Sequence, residues 1–172
     1  MRLGDVTTEK VAVFVACGSN KPHDRAVSWK LYDSTLFEKS WTAAQALGHP
    51  FVMSAKHGIV PPTKRLDKYD ETLKGKTKRE KISWADELWT TFINSGYEHY
   101  VLLGGRDYVD PLLETFHGPF STPDPNNATV YDPYEPTSGN GQQMAVAGEL
   151  ANAAYSADTV EQAIEYGQKV LE

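Results

Sequence analysis

The feature that most constrains the fold is an uninterrupted apolar run at residues 11–17, in which three of seven residues are valine. A run of this kind, bounded by turn-forming residues, is typical of a strand buried on both faces of a sheet. Gly18 and Asn20 predict the end of the strand, and residues 21–25, which include Pro22, are predicted to be a loop. The chain is therefore expected to build a sheet that helices cover on both sides.

Helices and strands are predicted to alternate along the rest of the chain. The predicted elements are a helix from residue 27 or 31 to 47, a strand at 50–55, a helix from a Thr77 cap to about 94, a strand at 99–105, a helix at 108–116 with Pro111 in its first turn, a strand at 129–131, and helices at 142–155 and 159–171, the last capped by Asp158. Residues 1–9 are predicted to be a loose arm, and 56–76 and 117–141 to be long irregular segments. This alternation predicts one three-layer α/β domain over residues 1–172, with a small, mostly parallel sheet flanked by helices and a C-terminal helix within 158–172.

Composition excludes several classes of protein. Hydrophobic residues make up 40% of the 172 residues and charged residues 23%, as in ordinary globular domains. The single cysteine excludes an internal disulfide framework and is typical of a reducing compartment. The longest apolar run, seven residues, is far below the roughly 20 that span a bilayer. We therefore expect a cytoplasmic protein without membrane attachment, and we predict no metal and no cofactor, since the five histidines are scattered and no Walker loop is present.

Charge is distributed unevenly along the chain, although the net charge is only −6. Residues 56–81 hold nine basic and four acidic residues, whereas residues 82–172 hold two basic and fourteen acidic ones. A basic stripe on an acidic protein can contact phosphate locally, while the whole molecule repels nucleic acid at long range. A solvated lysine-rich surface explains the same pattern equally well.

Ligands of parallel α/β sheets bind beyond the carboxyl ends of the strands, and three such ends here carry small or polar residues. The first end offers a thiol, backbone amides, a hydroxyl, an amide and an amine in Cys17, Gly18, Ser19, Asn20 and Lys21. Lys21 is a candidate phosphate ligand or, if desolvated, a nucleophile. Cys17 as a small buried side chain and Lys21 as an exposed loop residue are the plain alternatives.

The other two strand ends add a candidate proton carrier and a candidate phosphate contact. Ser54, Lys56 and His57 follow the second strand, and His57 is suited to general acid or base catalysis near neutral pH. After the third strand come Gly104, Gly105 and Arg106, which suit close approach to a phosphate, and Tyr108, a further candidate substrate contact. A surface histidine and tight strand-to-helix packing of the glycines explain these residues as well.

Two further segments carry candidate residues. Tyr69 and Asp70 place an aromatic ring and a carboxylate in the basic segment, where they suit base stacking and the positioning of water or a base N–H. Gln142 stands where the penultimate helix is predicted to begin, and its amide is a candidate ligand contact. An ordinary turn at Asp70 and a plain loop-to-helix junction at Gln142 are the alternatives.

Taken together, these segments resemble the YaaA-like family of bacterial, archaeal and phage proteins. The resemblance covers roughly residues 10–150 and rests on Cys17-Gly18-x-x-Lys21, Leu31-Tyr32-x-Ser34-x-Leu36-Phe37, Ser54-Ala55-Lys56-His57-Gly58-Ile59, Tyr69-Asp70-x-Thr72-Leu73 and Gly141-Gln142. It implies that Tyr32 and Ser34 also contact the substrate, with Tyr32 as a second stacking ring.

A narrower resemblance concerns Cys17-x-x-x-Lys21-Pro22, which is similar to the core motif of archaeosine synthase, where the lysine attacks a deazaguanine nitrile. In this chain His23 replaces the tyrosine that follows the proline in that motif. The same core is similar in fold type to uracil-DNA-glycosylase-like domains, which bind a nucleobase at the strand ends of a small parallel sheet. The signature motifs of those glycosylases are absent from this chain.

The leading hypothesis is an enzyme that acts on a nucleobase or an N-glycosidic bond in nucleic acid or a nucleotide. Lys21 would contact phosphate or attack the base, and Asp70 or His57 would carry protons. One alternative is a non-catalytic DNA- or nucleotide-binding factor of stress or defence, whose binding would depend on Lys74, Lys76, Lys78 and Arg79. Another is a hydrolase or sequestering protein for a nucleotide signal. The sequence does not specify an oligomeric state.

Overall fold

A computed structural model describes residues 10–17, 25–31, 34–69, 71–92, 94–117 and 128–172. A five-stranded sheet lies at its centre, with the strands in the order β4, β3, β1, β6, β7. These strands are β1 (Val11–Ala16), β3 (His49–Ser54), β4 (Gly58–Val60), β6 (His99–Leu103) and β7 (Thr129–Tyr131). Strands β3, β1, β6 and β7 run parallel, and β4 pairs antiparallel with β3. The mostly parallel sheet predicted from the sequence is confirmed.

Five α-helices within the described residues cover the two faces of this sheet. They are α1 (Thr35–Leu47), α2 (Lys78–Phe92), α3 (Arg106–His117), α4 (Asn140–Ala153) and α5 (Val160–Gln168). The helices α1, α4 and α5 pack together on one face, and α2 and α3 pack together on the other. The three-layer α/β architecture and the single domain are thus confirmed for the described residues. No helix among them is long and apolar enough to cross a membrane.

The apolar run of β1 is buried on both faces because it is the central strand. Val11, Val13 and Val15 pack into the core beneath α1 and α4, while Ala12 and Phe14 pack into the aromatic core beneath α2 and α3. Side chains of a strand alternate between faces, so a strand covered on both sides must be apolar at every position. This requirement explains why the run could be recognised in the sequence.

Three of the predicted helix starts were wrong, and one of these is that of α4, which begins at Asn140 and not at residue 142. Helix α1 begins at Thr35, because the Ser34 hydroxyl accepts a hydrogen bond from the Phe37 amide at 3.1 Å and so caps the helix. The preceding residues form a strand, β2 (Arg25–Val27), and a short 3-10 helix at Ser28–Lys30. Helix α3 begins at Arg106, two residues before the predicted start.

The other caps gave mixed results. The predicted Thr77 cap is confirmed: its hydroxyl accepts from the Glu80 amide at 3.2 Å, and the Glu80 carboxylate accepts from the Thr77 amide at 3.0 Å. The predicted Asp158 cap is wrong, since the Thr159 hydroxyl accepts from the Gln162 amide at 3.1 Å. Pro111 lies in the second turn of α3, not in the first as predicted.

Residues 56–76 are more regular than the sequence indicates. The chain turns after β3 and returns as β4, with Gly58 in the left-handed region at a φ of 69°. Farther on, β5 (Arg65–Asp67) pairs antiparallel with β2 to form a separate two-stranded ribbon. Each of these strands has three residues, too few to produce a recognisable alternation of apolar and polar positions.

The topology places a crevice between β1 and β6. The connection after β1 leads to α1 on one face of the sheet, and the connection after β6 leads to α3 on the other face. Where two adjacent parallel strands send their chains to opposite faces, the carboxyl ends of the strands are left uncovered. The fold therefore opens a ligand-sized space at Cys17 and Gly104.

Candidate functional site

A cavity of about 490 Å³ occupies this crevice, and we call it the switch cavity. Its walls come from the ends of β1 and β6, the first turns of α1, α3 and α4, and the segment before α2. The side chains used in the argument below are Cys17, Phe37, Ser40, Glu71, Asp107, Tyr108, Tyr134, Asn140 and Gln143. The volume lies within the range of small-molecule sites.

One wall of the switch cavity is formed by Cys17 and Tyr108. The Cys17 sulfur lies 3.3 Å from the Tyr108 phenolic oxygen, which is hydrogen-bonding distance for sulfur. Burial and the neighbouring thiol raise the pKa of Tyr108 above its ordinary value, and hydrogen bonds with Thr72 and the Leu73 backbone act weakly in the opposite direction. The phenol therefore keeps its proton at neutral pH and can donate a hydrogen bond.

The opposite wall contains aromatic rings and amides. The Ser40 and Tyr134 hydroxyls lie 2.6 Å apart, and burial raises the pKa of Tyr134 to about 12. Asn140 and Gln143 lie in the first turn of α4 and line the cavity beside the Phe37 ring. Each amide group has both donor and acceptor atoms, so this wall can match a ligand edge that carries both.

Two carboxylates also line the switch cavity, and each has a lysine partner. The Glu71 carboxylate lies 3.1 Å from Lys76, and the Asp107 carboxylate lies 2.7 Å from Lys81. Asp107 is the second residue of α3, where the positive end of the helix dipole stabilises negative charge. The cavity thus combines neutral polar side chains with these two paired carboxylates and with Lys74, which also lines it.

Ser54, predicted to contact the substrate, instead has a structural position. It is fully buried; its hydroxyl donates to the Tyr69 hydroxyl at 2.7 Å and accepts from the His57 amide at 3.1 Å. Tyr69, predicted to stack on a base, is only 5% exposed and packs edge-on against the His57 ring. Neither Ser54 nor Tyr69 lines the switch cavity. These hydrogen bonds stabilise the turn after β3, so Ser54 and Tyr69 have a structural role.

Lys56 and His57 line a second cavity of about 660 Å³ between this turn and α2. Partial burial lowers the pKa of His57, and the charges of Lys56 and Lys64 lower it further, while Glu71 opposes them. Glu71 lines both cavities, and the Trp84 ring, which lines the second, meets the Tyr108 ring edge-on at 5.6 Å. The three strand ends therefore open into two adjoining spaces rather than the one that was predicted.

The third strand end separates into packing and ion-pairing residues. A Cβ atom on Gly104 would lie 2.9 Å from the Ala16 Cβ, so glycine is needed for close packing, whereas Gly105 faces open space. Arg106, predicted to approach a phosphate, forms a bidentate pair with Asp132 at 2.7 Å and contacts Asp110 at 3.0 Å. These contacts raise the pKa of Arg106, the hydrogen bonds to Asp132 contributing most. Its charge is thus already matched within the chain.

The remaining predicted contacts are partly outside the described residues. Gly18, Ser19, Asn20, Lys21, Tyr32 and Asp70 fall there, so their roles stay predictions. Ser34 caps α1 and lines the switch cavity. Gln142 is exposed and accepts from the Ser138 amide at 2.8 Å, while its neighbour Gln143 lines the cavity. Within the described residues, no group of three or more His, Cys, Asp or Glu side chains is arranged to hold a metal ion.

Comparison with known families assigns the chain. Residues 12–147 match the model of DUF6884, a family of unknown function. The chain belongs to the DUF6884 family. No curated protein matches the chain. The crystal structure of AF0587, a protein of unknown function, is similar with a TM-score of 0.47 and 12% identity, covering 95% of this chain. The chain covers 45% of that protein's length. The resemblances to YaaA-like proteins and to archaeosine synthase stay predictions.

Several side chains of this DUF6884 protein's cavity were missed in the sequence. Asp107, Asn140 and Gln143 lie within two residues of positions that were singled out, and the run of two glutamines was the available signal. Ser40 and Tyr134 meet across 94 positions of sequence, and no local pattern indicates such a pairing.

Three of the nine basic side chains in residues 56–81 of this DUF6884 protein are paired with carboxylates. Lys76 pairs with Glu71, Lys78 with Glu114 and Lys81 with Asp107. The acidic partners of Lys78 and Lys81 belong to α3, in the acidic half of the chain, which packs against α2. This pairing reduces the positive charge that the segment can offer to phosphate.

Proposed function

We propose that this chain is an enzyme that binds the nucleobase of a nucleotide or nucleic acid in the switch cavity and acts on the base or on its N-glycosidic bond. The observation that carries the proposal is that two chemically different sets of side chains line one cavity. This cavity lies where the connections after β1 and β6 lead to opposite faces of the sheet. A protonated phenol and a thiol stand on one side, and two side-chain amides and an aromatic ring on the other.

The amide wall supports a base as the ligand. Asn140 and Gln143 each present a donor and an acceptor, the pattern that base edges carry. The largely buried Phe37 side chain adds an apolar contact at the cavity wall. A cavity of about 490 Å³ accommodates a base together with its sugar.

The phenol and the carboxylates support chemistry at the glycosidic bond. In the proposed hydrolysis the bond between the sugar C1′ atom and the base nitrogen breaks, and a water oxygen bonds to C1′. Asp107 or Glu71 accepts the proton of the attacking water, Tyr108 donates a hydrogen bond to the departing base, and the base nitrogen takes up a proton from solvent. Lys21 and Asp70 keep their predicted roles as phosphate ligand or nucleophile and as proton carrier.

A base-release assay on nucleosides, nucleotides and single-stranded DNA tests this function. We expect Tyr108→Phe to lower the rate roughly 100-fold, within the range attributed to one positioned proton donor. Gln143→Ala should raise KM, whereas Gln45→Ala, at an exposed position of α1, should change neither constant. Lys21→Ala and Asp70→Ala test the predicted residues outside the described part. Release that is unchanged in Tyr108→Phe and Gln143→Ala would contradict the proposal.

A binding protein without activity is the second candidate. Both carboxylates of the switch cavity are paired with lysines, which favours a role in binding over a role in proton transfer. This candidate predicts that nucleotides bind with the same dependence on Gln143 but that no base is released. Base release by the unmodified chain would eliminate it.

A further inference from the structure

Trp29, on the short 3-10 helix that follows β2, carries an exposed aromatic ring. It is 38% exposed, and its ring stacks on Trp41 with an interplanar angle of 6° and a centroid distance of 6.2 Å. Trp41 in turn stacks on Phe37 at 5.8 Å and 16°. Since Phe37 lines the switch cavity, three nearly parallel rings connect the cavity wall to the surface.

Basic residues lie on this 3-10 helix and on the adjoining β2–β5 ribbon. Lys30 lies over it, with its ammonium nitrogen 5.1 Å from the ring centroid. The 3-10 helix is joined to the strand next to it by a hydrogen bond from the Ser28 amide to the Lys64 carbonyl at 2.7 Å. The neighbouring β2–β5 ribbon pairs Val27 with Arg65. Trp29 is therefore placed among cations on two adjacent elements.

The orientation of the ribbon directs these cations to solvent. Leu66 is buried and its partner Ala26 packs against the core, so the alternate positions, Arg25 and Arg65, lie on the outer face. Arg25 has one acidic neighbour, Asp67, at 3.5 Å, an exposed pair that contributes little. Arg65, Lys30 and Lys64 form no salt bridge within the part of the chain that the structure describes. We call Arg25, Trp29, Lys30, Lys64 and Arg65 the ribbon surface.

We propose that the ribbon surface binds single-stranded nucleic acid, with an unpaired base on Trp29 and the backbone phosphates on the surrounding cations. This inference rests on the proposed function and specifies its substrate as a polynucleotide strand rather than a free nucleotide. A ring stacked on a further fixed ring is a rigid platform, and aromatic platforms beside basic side chains are how proteins hold unpaired bases. Lys30 is flexible enough to leave the ring and meet a phosphate when a base arrives.

Charge complementarity favours this partner over a protein segment. The acidic residues are concentrated in residues 82–172, which hold fourteen of them against two basic ones. An anionic strand is repelled there and attracted to the ribbon surface, so the protein's own field orients the strand. The column of rings from Trp29 to Phe37 places the platform beside the space assigned to the reacting base.

The test is a comparison of mononucleotide and strand binding. Fluorescence anisotropy would follow a labelled single strand of about 12 nucleotides containing all four bases, and calorimetry would follow the four nucleoside 5′-monophosphates. We expect Trp29→Ala to weaken strand binding about 5- to 150-fold and to leave mononucleotide binding unchanged, while Trp29→Phe retains most of the affinity. Tyr155→Ala, at a 63% exposed aromatic on the α4–α5 side, is the matched control.

The salt dependence tests the cations separately. Each of Lys30→Gln and Arg65→Gln should reduce the slope of log affinity against log salt by about 0.7, and Lys169→Gln should not. Unaltered thermal unfolding of each variant checks that it is folded. Binding of a duplex with affinity equal to that of the single strand would overturn the proposal, because paired bases cannot stack on Trp29.

The two proposals fail differently. If mononucleotides bind in a manner that depends on Gln143 but the strand binds no more tightly, or if Trp29→Ala has no effect, the ribbon surface is refuted and the cavity is not. If strand binding depends on Trp29 while Gln143→Ala has no effect on any ligand, the ribbon surface stands as a binding site and the cavity is refuted. If no nucleotide or strand binds, both are refuted.

Discussion

The sulfur atom of Cys17 lies 3.3 Å from the phenolic oxygen of Tyr108, although 91 positions of sequence separate the two residues. This contact joins the end of the central strand to the first turn of α3, across the point where the chain connections diverge to opposite faces. It gives the lone cysteine a partner and adds to the effect of burial, which is the main cause of the raised pKa of Tyr108. The contact therefore belongs to both the fold and the candidate site.

Removing the Tyr108 hydroxyl should affect ligand binding more than stability. We expect Tyr108→Phe to lower the free energy of unfolding by about 0.5–1.5 kcal/mol, the net contribution of an ordinary hydrogen bond, as measured by urea unfolding. Nucleotide affinity should fall further than this loss explains, because the phenol is proposed to contact the ligand. Tyr155→Phe, at an exposed tyrosine, is the control and should change neither quantity. A purely structural phenol would alter stability alone.

Substitution by alanine should destabilise the protein at Gly104 and have little effect at Gly105. The new Cβ in Gly104→Ala would lie 2.9 Å from the Ala16 Cβ and 3.2 Å from the Met53 Cε, so we expect a loss of about 1–3 kcal/mol in unfolding free energy. Gly105→Ala meets no atom within 4 Å and should stay within about 0.5 kcal/mol of the parent. Equal losses in the two variants, measured by thermal and urea unfolding, would contradict the assignment of Gly104 to packing.

Ser40 and Tyr134 should behave as a coupled pair. Ser40→Ala leaves a buried phenol without its 2.6 Å partner, so we expect a loss of about 1–3 kcal/mol. Because Tyr134→Phe removes the other half of the same contact, the double variant should lose less than the sum of the two single losses. The unfolding free energies of the four proteins in the cycle measure the coupling, and strict additivity would show that the two hydroxyls do not interact.

His57 should titrate below the usual histidine value of 6.5, since burial and the charges of Lys56 and Lys64 lower its pKa. The unfolded chain then binds more protons than the folded chain as the pH falls below about 6.5. This group therefore contributes full stability above that pH and loses its contribution as the pH falls through the lowered pKa. We expect His57→Gln to flatten the decline in stability between about pH 7 and 5 relative to the parent.

The lysine contribution can be measured on its own. Lys56→Gln should raise the pKa of His57 toward its usual value, as followed by NMR titration of the ring protons, because one cationic neighbour has been removed. Lys169→Gln, at the far end of the chain, should leave the pKa of His57 unchanged. A His57 pKa at or above 6.5 in the unmodified protein would be inconsistent with this environment.

The sequence was sufficient for β1, β3 and β6 of the sheet, because buried strands such as residues 11–17 must be apolar on both faces. It was insufficient for β2, β4 and β5, because a strand of three residues is too short to show a periodic pattern. In addition, β2 and β5 pair through residues about 40 positions apart in the sequence. The Thr77 cap was readable because Thr77 and Glu80 form a local pair. At the last helix the sequence predicted Asp158 as the cap, whereas in the structure the Thr159 hydroxyl accepts from the Gln162 amide and caps the helix.

For the site, the sequence predicted its location better than its members. Cys17 and Tyr108 lie at strand ends that the alternation of elements identified, and both line the switch cavity. Tyr69 was singled out as a polar-segment aromatic, but its burial depends on a hydrogen bond to Ser54 that is 15 positions away. Gln142 and Gln143 are distinguished by the rotation of one residue on a helix, about 100°, and no composition pattern conveys that angle.

The central claim is that the switch cavity binds a nucleobase, and NMR titration of isotope-labelled protein with the four nucleoside 5′-monophosphates tests it most directly. We predict saturable shifts of the side-chain amide signals of Asn140 and Gln143 and of the backbone signals of Cys17 and Tyr108. In Gln143→Ala the shifts of the Asn140, Cys17 and Tyr108 signals should be lost. In Gln45→Ala all of the shifts should be retained. The absence of shifts at millimolar nucleotide, or shifts confined to residues outside this cavity, would contradict the account.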